Sequence, residues 1–222
     1  MNYNTYEKAI ITGRKRRTGA LVMKFALERG YGVVALVRKP AEFGHRHKNL
    51  KIIEGTPYNP EDVLKAIKGC DTVISTLNNP RKSDLPWAAQ IGPTDVLQRT
   101  TANALAAMKA QGVQRIIRQS TIGAGESMAL APGLTRFMVR HTNLKIVFSD
   151  HTKADRLLAA SDTQWTSVRP VALTNSTKDK PVTVDYTAKP GMFVSRRNVA
   201  RFIVDCIEDP DYFQKAPILS EK

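Results

Sequence analysis

The 222-residue chain has little cysteine and no long apolar run. Its two cysteines, Cys70 and Cys206, are far apart and have no metal-like spacing, which argues against a disulfide framework and for a reducing compartment. A membrane-spanning helix needs about 18 consecutive apolar residues, and no such run occurs. The polar N-terminal segment MNYNTYEK lacks the apolar core of a signal peptide. These absences predict a cytoplasmic protein that does not span a membrane.

Acidic residues are scarce relative to basic ones. The chain has 34 Lys and Arg residues against 20 Asp and Glu residues, a formal net charge of +14. Such a field attracts nucleic acid, anionic lipid or phosphorylated ligands, and net charge alone does not separate these partners. Hydrophobic residues make up 42% and charged residues 24% of the chain, as is ordinary for a globular domain.

Short β-rich runs alternate with helical patterns along most of the chain. Strands are predicted at residues 8–12, 32–37, 50–53, 71–76, 114–120 and 164–170, and helices at 18–30, 59–69, 93–112 and 149–161. The C-terminal part is less regular, with predicted strands at 181–186 and 216–220 and a helix at 195–209. This alternation predicts an α/β fold in which a doubly wound parallel sheet carries helices on both faces. The loops at 77–92 and 121–132 follow strand ends, where such sheets bind ligands.

The turn after the first strand has lost one of its expected glycines. In TGRKRRTG (12–19), Gly13 and Gly19 take the outer positions of a dinucleotide-binding turn, but Arg16 takes the middle one; the other common spacing puts Arg17 there. The Cβ and side chain of Arg16 obstruct a place that normally admits only backbone. Four consecutive cations at a helix N-terminus nevertheless favour an anion. The turn therefore suits a shifted phosphate pose, free phosphate or nucleic acid, or is a solvated basic loop.

The second strand ends in LVRKP, with no acidic residue before Glu42. At this point of a dinucleotide-binding fold a carboxylate favours the ribose of NAD, whereas a cation favours the 2′-phosphate of NADP. Arg38 and Lys39 therefore predict NADP(H) as the cofactor rather than NAD(H).

Several segments together resemble a known family. The late signature reads Ser161, Trp165, Thr166, Val168, Arg169, Pro170, Leu173 and Thr174, and it follows IITGRKRRTGALV, VVALVRKP and RIIRQSTIGAG. In this order the chain resembles an atypical short-chain dehydrogenase/reductase of the NAD(P)-binding, NmrA-like branch that includes flavin and biliverdin-IXβ reductases. The resemblance implies a single Rossmann-type domain over residues 1–222, with residues 171–222 contributing a small substrate lobe.

The resemblance also implies where the cofactor contacts lie. The pyrophosphate would meet the first turn, at Gly13, Lys15, Arg16, Arg17, Thr18 and Gly19, and the 2′-phosphate would meet Arg38 and Lys39. Further contacts would come from Thr56, Thr76, Leu77, Ser120, Lys153, Pro170 and Val171, with Ser120 beside the nicotinamide and Lys153 near the ribose. Ser120 and Lys153 are also the candidate catalytic residues. Gly55-Thr56 stands where members of the family usually have Gly-Asp.

The common proton-transfer pair of short-chain dehydrogenases is missing. None of the six tyrosines is followed four residues later by lysine, so no phenol has its pKa lowered in that way. Flavin-type reductases of this branch instead position the nicotinamide against a flat acceptor for hydride transfer. Ser120 then donates to the substrate or carboxamide, or merely closes a strand.

The histidines add little to this prediction. His151 is either a proton relay or a packed helix residue. His45 and His47 have a metal-compatible spacing but lack acidic or cysteine partners nearby, and no metal is predicted.

Three functions are compatible with these patterns. The first is an NADPH-dependent oxidoreductase acting on a small-molecule redox acceptor such as a flavin or quinone, as a monomer or homodimer. The second is a non-catalytic NADP(H) sensor that regulates a partner. The third is a basic nucleic-acid-binding protein on a disused dinucleotide fold, ranked last because the chain lacks the aromatic stacking platform of single-strand binders.

Overall fold

A computed structural model describes residues 7–11 and 17–222 of the chain. Its centre is an eight-stranded sheet in the order β3-β2-β1-β4-β5-β6-β10-β8, in which only β8 runs antiparallel to its neighbour. The strands of this sheet are β1 (Glu7–Ile11), β2 (Gly32–Val37), β3 (Leu50–Glu54), β4 (Thr72–Ser75), β5 (Arg115–Gln119), β6 (Gln164–Pro170), β8 (Val182–Asp185) and β10 (Ile218–Glu221). Two short strands, β7 (Ala172–Thr174) and β9 (Phe193–Ser195), pair with each other in a second small sheet.

Helices cover both faces of the main sheet, which confirms the predicted Rossmann-type α/β fold. On one face, α1 (Thr18–Glu28) packs against α6 (Arg196–Asp205). The other face carries α2 (Pro60–Ile67), α3 (Val96–Gln111) and α5 (Leu144–Ala159), with α4 (Gly133–His141) packed against α5.

The second strand shows how the sequence fixes this layering. All six residues of β2 are buried, and successive side chains of a strand point to opposite faces. Val33, Ala35 and Val37 join the apolar cluster that α1 and α6 cover. Val34 and Leu36 join the cluster under α2 and α3. The continuous apolar run therefore reflects a central strand with both faces covered.

Local sequence signals mark the start or the end of several helices. The Asn59 side chain accepts a hydrogen bond from the Glu61 N–H, and Pro60 takes the first position of α2. The Ser195 hydroxyl accepts from Asn198 in the same way at the start of α6. Gly112 ends α3 in the left-handed region, at φ 70°.

Three elements were not predicted from the sequence. The strands β7 and β9 have three residues each, too few to show an alternating pattern. Helix α4 buries only Val139 and leaves Leu134 and Phe137 exposed, so most of its apolar side chains do not join the core. Helix α5 also begins at Leu144 rather than at residue 149.

The order of the strands places a crevice at the carboxyl edge of the sheet. Strand β1 lies between β2 and β4, so the connection after β1 leads to one side of the sheet and the connection after β4 to the other. In open α/β sheets, ligands bind in the crevice at such a switch point. The segment that follows β4, residues 76–95, is described in full, whereas residues 12–16 of the first turn lie outside the described residues.

The structure also places the two cysteines and describes helices that bear on the predicted absence of a membrane span. Cys70 and Cys206 are both buried and unbridged. Among the helices in the described ranges, none has the length and apolar character needed to cross a membrane.

Candidate cofactor site

Buried polar atoms without partners gather near the carboxyl edge of the sheet. In the described part of the chain they include Tyr58 Oη after β3, Thr76 Oγ1 and Asn79 Oδ1 after β4, and Gln119 Oε1 at the end of β5. A buried polar group left unpaired costs about 1–3 kcal/mol, and most such groups in proteins have partners. These atoms therefore fit a polar ligand held in the crevice, as a dinucleotide would be.

The first turn is described only from Arg17 onward, so Gly13, Lys15 and Arg16 lie outside the described residues. Arg17 is the residue that precedes α1 and has an extended backbone. Thr18 and Gly19 are buried in the first turn of the helix. The start of α1 is thus in place for the helix-terminus anion site that the sequence predicts.

An acidic residue from the loop after β4 reaches this helix start. The Arg17 Nη2–H donates to Asp84 Oδ1 at 2.7 Å. The guanidinium of Arg196, at the first position of α6, lies 4.0 Å from the other carboxylate oxygen of Asp84. Burial lowers the pKa of Arg196, and the nearby Arg17 lowers it further. Burial also lowers the pKa of Arg81, which Asp84 partly offsets. Two guanidiniums thus lie within 4.0 Å of one carboxylate beside the start of α1, and the charge of that carboxylate also acts on Arg81.

An exposed cation, Arg38, follows β2 beside the crevice. Arg38 is exposed and forms no ion pair with any residue that the structure describes. Its predicted companion Lys39 donates to Glu42 at 3.0 Å, so part of its charge is already neutralised. Burial raises the pKa of Tyr58, and the positive charge of Arg38 acts in the opposite direction. Arg38, rather than Lys39, is therefore the cation available beside the crevice.

The two residues after β3 are held by a carboxylate from α2. The Thr56 N–H donates to Asp62 Oδ2 at 2.8 Å. A Cβ on Gly55 would lie 2.7 Å from the carboxyl carbon of Asp62, so glycine is needed for this close approach. After β4, the Thr76 hydroxyl faces no partner, while Leu77 packs against the apolar clusters under α2 and α3.

Ser120 lies at the end of β5 in a buried polar network. It is 2% exposed, and its hydroxyl donates to Asp155 Oδ2 at 3.0 Å. Asp155 also accepts from Arg118 at 2.7 Å and from Ser167 at 2.8 Å, both at Oδ1. Arg169 donates to Asp155 Oδ2 at 3.1 Å and also pairs with Glu126. A single carboxylate thus holds two buried guanidiniums and two hydroxyls.

His151 completes this network on the side of Ser120. Its Nδ1 lies 3.1 Å from Arg118 Nη2 and 3.5 Å from Ser120 Oγ. Burial and the charge of Arg118 hold the pKa of His151 well below its ordinary value, so the ring is neutral at pH 7. Because a guanidinium only donates, Nδ1 accepts and the ring proton lies on Nε2. The Nε2–H has no acceptor among residues 7–11 and 17–222 and is available to a ligand.

A second carboxylate on α5 fixes the helix in place. Asp150 accepts from the backbone N–H groups of Leu97 and Gln98, at 2.8 and 3.0 Å, in the first turn of α3. It also accepts from Asn79 Nδ2 at 2.8 Å. Asp150 therefore joins α5, α3 and the loop after β4.

The remaining predicted residues differ in exposure: Lys153 is on the surface, and Pro170 and Val171 are buried. Lys153 is exposed, and residues two apart on a helix point about 200° from each other, so it does not share the face on which His151 meets Ser120. Its assigned role stays a prediction. Pro170 and Val171 are buried at the end of β6, where the Ile122 N–H donates to the Pro170 carbonyl at 3.0 Å.

The sequence did carry a signal for the missed residues. On α5 the residues that face inward include Asp150, His151 and Asp155 together with Ala154 and Leu158. Polar side chains at the inward positions of an amphipathic helix need buried partners, and the spacing 151–155 puts the histidine and aspartate on one face. The contact of Asp84 with the first turn has no such signal, because a loop brings it there.

Known proteins match this chain over nearly its whole length. A family model described as NAD(P)H-binding matches residues 13–210. A short-chain dehydrogenase/reductase from Veillonella parvula in complex with NADP is 16% identical, with a TM-score of 0.78 over 97% of this chain and 94% of that one. The anaerobillin reductase ChuY from Escherichia coli O157:H7 is 18% identical, with a TM-score of 0.77 over 97% of each chain.

A third structure, a Rossmann-fold NAD(P)-binding protein from Shigella flexneri, is 22% identical, with a TM-score of 0.71 over 98% of this chain and 94% of that one. At these identities the structures show a shared fold, whereas the family model covers most of the sequence, including the first turn. The chain therefore belongs to the NAD(P)H-binding family.

Proposed function

We propose that this protein is an NADPH-dependent oxidoreductase that reduces a flat acceptor such as a flavin or quinone. The observation that carries the proposal is a set of buried polar atoms near the carboxyl edge, from Tyr58 to Gln119, that have no partner among the described residues. They lie in a chain whose family binds NAD(P)H. The neighbour in complex with NADP and the anaerobillin reductase have the same fold and support the reading.

Different residues would bind the two ends of NADPH in the crevice. Arg38 would hold the 2′-phosphate, because it is the unpaired cation at the end of β2. Arg17 and Arg196, beside the start of α1, would hold the pyrophosphate. Thr76 and the His151 Nε2–H would orient the nicotinamide half. NADPH, when bound, supplies a hydride; the acceptor gains that hydride and a proton from solvent.

The polar network supports a flat hydride acceptor rather than a carbonyl substrate. The Ser120 hydroxyl gives its hydrogen to Asp155, and His151 is neutral with its proton on Nε2. Tyr58, the tyrosine that follows β3, has a raised rather than a lowered pKa. The described part of the chain thus positions its ligands without supplying the lowered-pKa phenol of carbonyl reduction. A flavin or quinone, whose reduced form takes its proton from water, does not require one.

An exposed aromatic side chain is available for a flat acceptor. Trp87 lies on the loop after β4 and is 67% exposed, with Leu85 and Ile91 also exposed on the same loop. The Trp87 carbonyl accepts from Asn143 Nδ2 at 2.8 Å, which fixes the loop against the start of α5. We infer that the acceptor stacks on Trp87, within the substrate lobe that residues 171–222 complete.

The test combines nucleotide binding with turnover. The purified protein is titrated with NADPH and then mixed with NADPH and either FMN or menadione, while the loss of NADPH absorbance is followed. We expect binding and turnover, with Trp87→Ala raising the KM for the acceptor and leaving the NADPH Kd unchanged. Phe137→Ala on α4, where the side chain is 62% exposed, is the matched control.

The other outcomes separate the two remaining functions. Binding of NADPH without turnover of either acceptor would support the NADP(H) sensor. Absence of nucleotide binding, together with a salt-dependent DNA complex, would support the nucleic-acid-binding protein. Arg16→Gly then tests the first turn: tighter NADPH binding means that Arg16 obstructs the pyrophosphate, and weaker binding means that it is a phosphate ligand.

A further inference from the structure

A second concave site lies outside the crevice. A cavity of about 690 Å³ opens on the flank of α5, between α4, the loop after β5 and the face of β6. Its volume falls in the usual range of small-molecule sites, about 300–1,000 Å³. Among the predicted cofactor residues that the structure describes, none lines it. Asp155 connects the two sites, because it lines the cavity and accepts from Ser120.

Four cations line this cavity without partners. Arg136 and Arg140 are four residues apart on α4, so they share one face of that helix. Lys145 and Arg156 are eleven residues apart on α5, about three helical turns, and also share a face. None of the four forms an ion pair or a side-chain hydrogen bond with any residue in the described ranges. Such converging like charges raise the local concentration of anions.

The floor of the cavity presents a fifth cation. Arg169 is buried, with one side of its guanidinium held by Asp155 at 3.1 Å. The other side pairs with Glu126, whose side chain is 79% exposed at the cavity. Because most of its side chain is exposed, Glu126 can leave this pair for water. A ligand carboxylate or phosphate can therefore replace Glu126 on Arg169.

The remaining wall is apolar and partly aromatic. Phe148 from α5 and Trp165 from β6 line the cavity with Met128 and Val139. Aromatic and aliphatic walls bury a flat ring, while arginine forks bind planar anionic groups. We propose that this cavity binds a planar organic anion, an aromatic carboxylate or aromatic phosphate, at a site separate from the cofactor crevice.

Calorimetry with three matched probes tests this proposal. The protein, saturated with NADPH so that the crevice is filled, is titrated with 1-naphthyl phosphate, 1-naphthoate and the neutral 1-naphthamide. The same titrations without NADPH make the result independent of cofactor binding. We expect one site for at least one of the two anions, weaker at high salt, and at least about tenfold weaker binding of the amide. The stronger anion identifies carboxylate or phosphate as the natural group.

Variants locate the binding site. Arg140→Gln combined with Arg156→Gln should weaken the anion at least about tenfold, whereas Arg140→Lys with Arg156→Lys keeps the charge without the fork and should lose less affinity than the glutamine pair. The exposed pair Lys109→Gln with Lys178→Gln loses the same charge elsewhere and should change the affinity less than about twofold. Absence of anion binding, equal binding of the amide, or an equal loss in both glutamine pairs would overturn the proposal.

Discussion

The two faces of the central sheet carry different chemistry, although they come from the same strands. On β5, Ile117 faces the apolar cluster under α1 and α6, while its neighbour Arg118 faces α5. On β6, Val168 and Arg169 divide in the same way. The face under α1 and α6 is apolar at these positions, whereas the α5 face holds two buried guanidiniums on one carboxylate beside its own apolar cluster. This part of the α5 face therefore depends on the charge of Asp155, and the opposite face depends on apolar packing.

The largest expected effect comes from removing the charge of Asp155, which holds Arg118 and Arg169 on the α5 face of the sheet. Asp155→Asn keeps the volume of the side chain but leaves Arg118 buried without a counter-charge and removes one partner of Arg169. Breaking a buried pair costs about 3–5 kcal/mol. Urea denaturation measures this loss. Ile203→Val, a similarly small change on the apolar face, should cost about 0.5–1.5 kcal/mol; equal losses would contradict the contrast between the faces.

A smaller effect, on nucleotide affinity, is expected at the carboxyl edge of the sheet, where Arg38 follows β2. Arg38→Gln removes the unpaired cation at the end of β2, so the Kd for NADPH should rise about tenfold. The Kd for NADH should not change, because NADH lacks the 2′-phosphate. Fluorescence titration with NADPH and with NADH measures the two Kd values. Arg46→Gln, an exposed cation on the following loop, is the control, and an equal change for NADH would remove the role assigned to Arg38.

His151, beside Arg118 on the α5 face, makes the stability of the protein depend on pH. Its pKa is lowered in the folded protein, so the unfolded chain binds the extra proton and stability falls as the pH drops below the unfolded value of about 6.5. Between pH 6.5 and 5.5 the free energy of unfolding should fall by about 1 kcal/mol from this group. Denaturation curves at the two pH values check the fall. His151→Gln should flatten the dependence, and an unchanged slope in this variant would mean that another group titrates.

The smallest effect is expected at the carboxylate beside α1. Asp84 partly neutralises Arg17 and Arg196 where the pyrophosphate would lie, so Asp84→Asn should tighten NADPH binding about twofold to threefold. The exposed Asp162→Asn serves as a control for net charge. Weaker binding in Asp84→Asn would show instead that this carboxylate is needed to orient the arginines.

Much of the architecture was predictable because apolar alternation and helix signals are local. The six residues of β2 and the cap at Asn59 follow directly from neighbouring residues. The position of Arg38 at the end of β2 was predictable for the same reason. Helix α4 was missed, although its apolar residues recur with helical spacing; in the fold it buries only Val139.

The buried partners of the site could not be assigned from the sequence. Ser120 was identified from its place at a strand end, but its acceptor Asp155 lies on a helix far along the chain. Choosing His151 over Lys153 requires knowing which face of α5 meets the sheet. The contact of Asp84 with Arg17 depends on the path of a long loop, which no local pattern specifies.

The central claim is that the carboxyl-edge crevice binds NADPH in preference to NADH. Calorimetric titration of the purified protein with each nucleotide at one salt concentration tests it most directly. We expect a single NADPH site whose Kd is at least about tenfold lower than that for NADH. Equal affinity for the two nucleotides, or no heat of binding with either, would contradict it.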